Sequence, residues 1–300
     1  MIDIDSLEDK FSIEGELGFA ELEYDLIYIT VSNKYADADI CLYGAHVTSF
    51  RPANQMDILW MSPQSHFQEG FPIRGGIPVC FPWFGPHKTD TEKPQHGFAR
   101  LMYWDVKETA SLPTGETLIK LQLDSSEKTK EYWPYDFCAE MEIIVGAKLT
   151  MNFRVENLSD ETFEYTSALH SYFTISAIEN ISIEGLAKTS YHNQLTGTDG
   201  FQEEEILKIT EPTTRHYFNT EATCLIYDPV FRRAINVEKS GSKTTTVWNP
   251  GAEFCEKIGD LPDDSYHEFV CVETGNSYED FVRLAPGETH ETTAIIGLEE

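Results

Sequence analysis

The sequence predicts an all-β protein, a large antiparallel β-sandwich. Short runs of alternating apolar and polar residues recur along the chain, clusters of Gly, Pro, Asn and Asp separate them, and no segment has a long 3.6-residue repeat. In the clearest run, Leu149, Met151, Phe153 and Val155 alternate with polar residues, and turn-forming residues follow at 156–160. This pattern is typical of a half-buried antiparallel strand. Because no repeat of fixed period is present, we expect a sandwich and not a propeller or solenoid.

The other predicted strands lie along the whole chain. In chain order their sequences are LIYITVSN, ICLYGAHVTSF, FARLMYWDV, TLIKLQLD, CAEMEIIVG, FEYTSALHSYFTI, TCLIYD, TTTVWNP, HEFVCVE and ETTAIIG. The chain has 300 residues, of which 41% are hydrophobic, and this is enough to bury a large core. No change in composition separates one part from another. We therefore predict a single domain over residues 1–300.

The charge of the chain excludes two classes of partner. With 51 acidic and 22 basic residues, the net charge is -29, so nucleic acids and anionic membrane surfaces would be repelled. The first residues do not resemble a signal peptide, and no apolar run reaches the 18 residues of a membrane span. We expect a cytoplasmic protein. Its six cysteines form no C-x-x-C pair and are interpreted as reduced, buried thiols.

Two arginines stand out because the chain contains only eight. Arg74 and Arg100 lie beside glycines in PIRGG and HGFAR, within a segment rich in proline and aromatic residues. A guanidinium group binds carboxylate or phosphate through two parallel hydrogen bonds, which lysine cannot do. The pattern indicates an anion site. The alternative is that two surface arginines flank a buried apolar loop.

Two further residues are candidates for acid/base chemistry. His170 lies among apolar residues in ALHSYF, and Glu273 follows the apolar run of a strand and precedes a turn. The sequence has none of the usual metal-binding histidine motifs, no nucleophile motif, no phosphate loop and no dinucleotide-binding motif. We therefore predict acid/base chemistry with no metal and no cofactor.

Eight motifs occur together in one order. They are GAHVTSF, ILWMSP, PIRGGIPVCFPWFG, QHGFAR, WPYDF, ALHSYF, VWNP and CVETGN. In this order and spacing, from about Gly44 to the end of the chain, the sequence resembles the glucose-6-phosphate 1-epimerase branch of the aldose 1-epimerase, or galactose mutarotase, superfamily. The resemblance implies a β-sandwich of galactose mutarotase type. It also implies an isomerase that interconverts the α and β anomers of hexose 6-phosphates without a cofactor.

The resemblance assigns a role to each matched residue. His170 would be the general acid and Glu273 the general base. Arg74 and the Gln95, His96 and Arg100 of QHGFAR would hold the substrate, with both arginines facing phosphate. Because a carboxylate favours a nearby imidazolium, we expect Glu273 to be ionised and His170 protonated when the sugar ring opens.

The chain departs from the family pattern in two segments. The first is YHNQ at 191–194, where the family has a Tyr followed by an Asp-Lys pair. The second is EATC at 221–224, where the family has an E-T-D-R-like segment with an acidic residue that contacts the sugar; here Thr223 replaces the aspartate. A contact to a sugar hydroxyl is therefore missing or comes from elsewhere. Two alternatives remain: an epimerase of neutral aldoses, and a sandwich that binds carbohydrate without turnover. We expect a monomer. Six aromatic residues could offer a flat apolar face to a sugar, and we expect only one or two of them to touch it: Trp60, Phe81, Trp83, Phe84, Tyr172 and Trp248.

Overall fold

The alternating pattern of the sequence forms the strands that it predicts. The computed structural model describes residues 3–22 and 25–299. Strand β9, Leu149–Asn157, buries Leu149, Met151, Phe153 and Val155 and presents the intervening polar residues outward, as expected. Its neighbour β8, Phe137–Val145, alternates in the same way. Each strand therefore covers the core with one face and meets solvent with the other.

Two eight-stranded antiparallel sheets make up most of the molecule, which confirms the predicted sandwich. The back sheet has the strand order β13-β17-β18-β22-β9-β8-β7-β6. Its strands, besides β8 and β9, are β6 (Asp105–Ser111), β7 (Thr117–Asp124), β13 (Ser182–Glu184), β17 (Cys224–Asp228), β18 (Arg233–Ser240) and β22 (Thr289–Leu298).

The other large sheet, here called the site sheet, has the order β15-β14-β16-β19-β20-β11-β5, and β12 also pairs with β20. Its strands are β5 (Val79–Cys80), β11 (Ser167–Leu169), β12 (Tyr172–Thr174), β14 (Ser190–Asn193), β15 (Thr198–Phe201), β16 (Thr213–Tyr217), β19 (Thr244–Asn249) and β20 (Phe269–Asn276). All residues of β20 are buried, so this strand lies in the middle of the molecule.

The remaining elements are small. A four-stranded sheet contains β1 (Leu17–Glu21), β2 (Ile27–Ser32), β3 (Ala36–Cys41) and β4 (His46–Pro52), and β10 (Phe163–Tyr165) pairs with β21 (Val282–Leu284). The helices are α1 (Ile4–Phe11), α2 (Glu127–Lys130) and α3 (Gly251–Cys255). Within the described residues, no helix is long and apolar enough to cross a membrane.

One apolar cluster joins the sheets. It includes Ile29 of β2, Met151 of β9 and Val272 of β20, so the four-stranded sheet, the back sheet and the site sheet share a core. The prediction of a strand over FARLMYWDV is wrong for its first half, because residues Ala99–Leu101 form a 3₁₀ turn. The amides of Phe98 and Ala99 both donate to the Phe81 carbonyl, so this stretch cannot join a ladder.

Candidate active site

A cavity of about 590 Å³ opens over the site sheet. Its walls come from β16, β19 and β20, from the residues that flank β11, and from the loops that follow β4 and β5. All six residues singled out in the sequence line this cavity: Arg74, Gln95, His96, Arg100, His170 and Glu273. Residues far apart in the chain therefore meet in one place.

The deepest polar groups of the cavity are His170 and Glu273. Glu273 lies in β20, directly opposite Thr246 of β19, and its side chain is 1% exposed. His170 immediately follows β11, which pairs with β20, and its backbone amide donates to the Pro78 carbonyl. The pairing brings His170 Nε2 to 3.4 Å from Glu273 Oε1. Glu273 Oε2 is buried and has no hydrogen-bond partner among the described residues, so it can accept a hydrogen bond from a ligand.

Aromatic rings hold the imidazole of His170 in place. The ring of Tyr172 stacks on it with centroids 4.9 Å apart and planes inclined by 14°. His96 and Trp248 meet it edge-on, at 5.5 and 5.9 Å. Because three rings surround the imidazole, its orientation is fixed before any ligand enters, which is what a positioned acid or base requires.

The ligand-free cavity does not favour the charges that we expect His170 and Glu273 to carry when the sugar ring opens. Burial first, and then the positive charges of Arg100 and Arg74, lower the pKa of His170 to about 3. Burial raises the pKa of Glu273 well above its usual value. Burial therefore favours the neutral form of both groups, because desolvation outweighs the attraction that we expected between carboxylate and imidazolium.

Arg74 is held by two side chains. Its Nε donates to Asp260 Oδ1 over 3.1 Å, and its Nη1 donates to the Tyr172 hydroxyl over 3.0 Å. Burial disfavours the charge of Arg74, but the contacts with Tyr172 and Asp260 outweigh burial and raise its pKa. Arg74 is thus already balanced by a carboxylate, and the remaining Nη2 is available to a ligand.

Arg100 differs from Arg74 in having no carboxylate partner among the described residues. Its Nη2 donates to the Gln95 carbonyl over 2.8 Å, and its buried Nε has no hydrogen-bond partner there. Burial, the largest effect, and the nearby charge of Arg74 lower the pKa of Arg100. Leaving the buried Nε without a hydrogen-bond partner is costly. A bound anion would complete its hydrogen bonds and offset the repulsion between the two arginines.

The glycines beside the arginines serve packing. Gly76 and Gly97 adopt φ values of +59° and +74°, and an added Cβ would lie 2.3 Å from the Val47 carbonyl oxygen and 2.0 Å from the Phe81 carbonyl oxygen, respectively. No side chain fits at these distances. The glycines therefore allow the arginine-bearing loops to approach the strands, and the arginines themselves supply the cationic groups.

Gln95 and His96 form the wall next to Arg100. His96 Nδ1 accepts a hydrogen bond from the Gly85 amide over 3.2 Å, and its ring lies 4.9 Å from that of Phe84. Burial, followed by the charge of Arg100, lowers the pKa of His96 well below its usual value. A neutral His96 with Nδ1 as acceptor carries its proton on Nε2. This atom lies 3.2 Å from the Gln95 side-chain amide, so it donates to that amide when the amide turns its oxygen toward the ring.

The sequence did not reveal the opposite wall of the cavity. Thr214 and His216 of β16, Thr246 of β19 and Gln194 of the YHNQ segment all line it. The EATC segment, where a sugar contact was sought, does not line the cavity. The alternation of TTRHY places Thr214 and His216 on the same face of a strand, but which face lines a cavity depends on strand pairing.

Few aromatic residues reach the cavity. Of the six candidates for sugar contact, Phe84 and Trp248 line it, whereas the others are buried in the core. These buried residues are Trp60, Phe81, Trp83 and Tyr172. No group of His, Cys, Asp and Glu within residues 3–22 and 25–299 is arranged to hold a metal ion.

Buried neutral histidines are expected to make the protein sensitive to acid. Burial lowers the pKa of His46 to about 4, of His170 to about 3 and of His216 to about 4, whereas an unfolded chain has a histidine pKa of about 6.5. The unfolded state then binds more protons between pH 4 and 6.5, so the free energy of unfolding falls as the pH falls through this window. Glu273, with a raised pKa, contributes in the opposite direction above pH 4.5.

With His96, whose pKa burial also lowers well below its usual value, these groups leave a net difference of about three protons near pH 5.5, or about 4 kcal/mol per pH unit. Urea unfolding at pH 7, 6 and 5 measures it. The matched variant is His46→Gln, because glutamine can keep the hydrogen bond from His46 Nε2 to the Gly75 carbonyl without titrating. His46→Gln should lower the difference in bound protons between the unfolded and folded states by about one. A pH-independent stability would contradict these pKa directions.

The fold is a sandwich whose cavity joins a buried histidine, a buried glutamate and two arginines. The aldose 1-epimerase family model matches residues 28–297, which is most of the chain, and the chain belongs to this family. The family resemblance of the eight motifs is thereby confirmed.

Two bacterial proteins and one crystal structure are similar to this chain over most of its length. A Salmonella typhimurium protein provisionally named a glucose-6-phosphate 1-epimerase is 36% identical over 250 residues, or 83% of each chain. An Escherichia coli protein with the same provisional name is 36% identical over 85% of each chain. A crystal structure of a provisionally assigned mutarotase from Salmonella typhimurium superposes with a TM-score of 0.89 at 31% identity, covering 97% of this chain and 96% of the other.

A more distant structure shows the fold alone. A galactose mutarotase-like protein from Lactobacillus casei superposes with a TM-score of 0.74 at 15% identity, over 91% of this chain and all of the other. The chain is therefore an epimerase-family enzyme with the galactose mutarotase type of fold, as predicted.

Proposed function

We propose that this enzyme interconverts the α and β anomers of hexose 6-phosphates, glucose 6-phosphate among them. One observation carries the proposal: His170 and Glu273 face each other across 3.4 Å in a cavity that also contains Arg100, a half-buried arginine that has no carboxylate partner among the described residues and whose Nε is buried without a hydrogen bond there. His170 and Glu273 supply acid/base chemistry, and Arg100 favours a substrate with an anionic group. The provisional names of the two bacterial relatives agree with this substrate.

The reaction needs one base and one acid on the same sugar ring. Glu273, as carboxylate, takes the proton of the C1 hydroxyl while His170, as imidazolium, gives a proton to the ring oxygen O5. The C1–O5 bond breaks, and an open-chain aldehyde forms. After rotation about C1–C2, O5 attacks the other face of the carbonyl, His170 recovers its proton, and Glu273 returns a proton to the new hydroxyl. Each positioned proton transfer contributes about 10²–10⁴-fold.

The substrate itself sets the charges that this reaction needs. In the ligand-free cavity, the charges of Arg100 and Arg74 are the largest effects after burial that lower the pKa of His170. A phosphate dianion beside these arginines offsets their field, so the pKa of His170 rises and transfer of the proton from Glu273 to His170 becomes less unfavourable. Binding of the phosphate group thus makes the charged acid and base easier to form, and part of its binding energy increases the rate.

An epimerase of neutral aldoses is the second candidate. The contact between Arg74 and Asp260 favours it, because one of the two arginines needs no anionic ligand. Against it stands the unpaired guanidinium of Arg100, which a neutral sugar would leave without a counter-charge.

Two-dimensional exchange NMR separates these candidates. Equilibrium mixtures of glucose 6-phosphate, glucose and galactose are measured with and without the enzyme, since each anomer has its own resonances. We expect rapid exchange of the phosphosugar and much slower exchange of the free sugars. Faster exchange of the free sugars would assign the protein to neutral aldoses. Binding without exchange of any sugar would make it a carbohydrate-binding protein.

A further inference from the structure

Polar side chains cross the site sheet in a row that begins at the candidate base. Glu273 of β20 is directly opposite Thr246 of β19, and Thr246 is directly opposite His216 of β16. Directly opposed residues of antiparallel strands project to the same face, so these three side chains all face the cavity. Strands lie about 4.8 Å apart, and the row therefore extends about 10 Å from the strand of Glu273.

Hydrogen bonds give this row a direction. His216 Nε2 lies 2.9 Å from Gln194 Oε1, and His216 Nδ1 lies 2.9 Å from Thr246 Oγ1. Burial lowers the pKa of His216 to about 4, so its ring is neutral at pH 7. An amide oxygen only accepts, so His216 donates from Nε2, and its Nδ1 accepts from the Thr246 hydroxyl.

The same assignment leaves a donor group free at the rim of the cavity. With Oε1 turned toward His216, the amide nitrogen of Gln194 has no hydrogen-bond partner in the part of the chain that the structure describes. Gln194 is exposed and lines the cavity, and His216 fixes the orientation of its amide. A glutamine held in this way offers two N–H groups to an oxygen atom of a ligand.

The strand order tells which part of the substrate reaches this wall. His170 follows β11, on one side of β20, and Arg74 contacts Tyr172 of β12 on that same side. Gln194 and His216 lie on the other side, beyond β19. The candidate acid/base pair therefore lies between the arginines and Gln194. In a hexose 6-phosphate, the phosphate is on C6, which is attached to ring carbon C5. C2 lies opposite C5 across the ring, so a sugar whose phosphate contacts the arginines directs C2 toward Gln194.

We propose that Gln194 is a specificity-determining residue that binds a hydroxyl group on the C2–C3 edge of the sugar, and that His216 is a positioning residue that holds its amide. The inference rests on the proposed function, which places phosphate at the arginines and C1 at Glu273. The YHNQ segment, which departs from the family pattern, then provides a hydroxyl contact of its own. Because Gln194 lies at an exposed rim, its contribution is that of an ordinary hydrogen bond, about fivefold in affinity.

Deoxy sugars test this contact directly. Anomer exchange is measured for glucose 6-phosphate and for its 2-deoxy, 3-deoxy and 4-deoxy analogues, with the wild-type enzyme and with Gln194→Met, which keeps the volume of the side chain and removes its hydrogen bonds. For the wild type, we expect the KM of the 2-deoxy or the 3-deoxy analogue to exceed that of glucose 6-phosphate about fivefold. In Gln194→Met, the KM of that analogue should equal the KM of glucose 6-phosphate. Any difference in KM between the 4-deoxy analogue and glucose 6-phosphate should be the same as in the wild type.

The role of His216 has its own pair of variants. The rings of His216 and Tyr278 lie 4.7 Å apart, and His216→Phe keeps a ring at this position but no longer holds the amide of Gln194. It should therefore remove the same difference in KM between glucose 6-phosphate and its deoxy analogues and leave kcat unchanged. His192→Phe is the control, because His192 is directly opposite His216 on β14 yet does not line the cavity. It should preserve the difference.

The outcomes separate the two proposals. If the wild type does not exchange glucose 6-phosphate, the proposed function is wrong and this inference fails with it. If the wild type exchanges glucose 6-phosphate but shows no 2-deoxy or 3-deoxy penalty, or if Gln194→Met keeps that penalty, only the inference is wrong. A penalty lost in Gln194→Met but kept in His216→Phe would assign the contact to Gln194 and overturn the positioning role of His216.

Discussion

Replacing Glu273 with glutamine is expected to slow anomer exchange of glucose 6-phosphate by about 10²–10⁴-fold, the usual contribution of one positioned proton transfer. Glutamine has the same shape as glutamate but cannot take the proton of the C1 hydroxyl. The loss should fall on kcat, because the substrate keeps its phosphate and hydroxyl contacts. Exchange NMR gives the rate, and titration with the substrate gives the affinity. An unchanged rate would contradict the assignment of Glu273 as base.

The stability of this variant shows whether the loss is chemical. Burial raises the pKa of Glu273, so the folded protein keeps that proton while the unfolded chain releases it above pH 4.5. The stabilising effect of the protonated carboxyl is present below pH 4.5 and falls as the pH rises toward the folded pKa. Glutamine does not ionise, and Glu273→Gln should therefore be at least as stable as the wild type at pH 7. The control is Glu268→Gln, at an exposed position just before β20 and outside the cavity lining.

The sequence predicts the back sheet well because its strands have one buried and one solvated face. Strands β7, β8 and β9 begin and end within one residue or two of their predicted limits, since alternation and turn residues are both local signals. FEYTSALHSYFTI instead forms three short strands: β10 pairs with β21, whereas β11 and β12 pair with different parts of β20. Such breaks depend on contacts with distant strands, which a local pattern does not contain.

The candidate site could be predicted only in part. The motifs identify residues that line the cavity on one side, among them Arg100, His170 and Glu273. They do not identify Asp260, which balances Arg74 from 186 residues away, or His216, whose position beside Thr246 depends on the register of β16 with β19. Register between strands is set by the folded sheet as a whole.

Charge states could not be predicted for the same reason. From the sequence, a carboxylate near a histidine favours the imidazolium, and this leads to an ionised Glu273 and a protonated His170. In the folded protein, both side chains are almost fully buried, at 1% and 10% exposure, and two guanidiniums lie nearby. Desolvation acts against both charges, and its strength depends on how completely the surrounding chain excludes water.

Replacing Arg100 with methionine is expected to slow exchange of the phosphorylated sugar without slowing that of the free sugar. Methionine keeps much of the apolar stem and removes the guanidinium, so the phosphate group loses its charged hydrogen bonds. We expect kcat/KM for glucose 6-phosphate to fall about 10–100-fold, because a hydrogen bond to a charged group contributes about 1.5–3 kcal/mol. Removing a positive charge beside His170 also raises its pKa toward neutrality. Exchange of free glucose, which brings no dianion, should therefore be unchanged or faster.

A third measurement distinguishes the loss of a ligand contact from damage to the fold. The Nε of Arg100 is buried without a partner among the described residues, so Arg100→Met should raise the free energy of unfolding by about 1 kcal/mol in urea. Arg283→Met is the matched control, because it removes one positive charge from an exposed position outside the cavity lining. It should leave both sugars unaffected. Equal losses for glucose 6-phosphate and free glucose in Arg100→Met would mean that Arg100 supports the cavity without binding phosphate, and the neutral-aldose function would then be favoured.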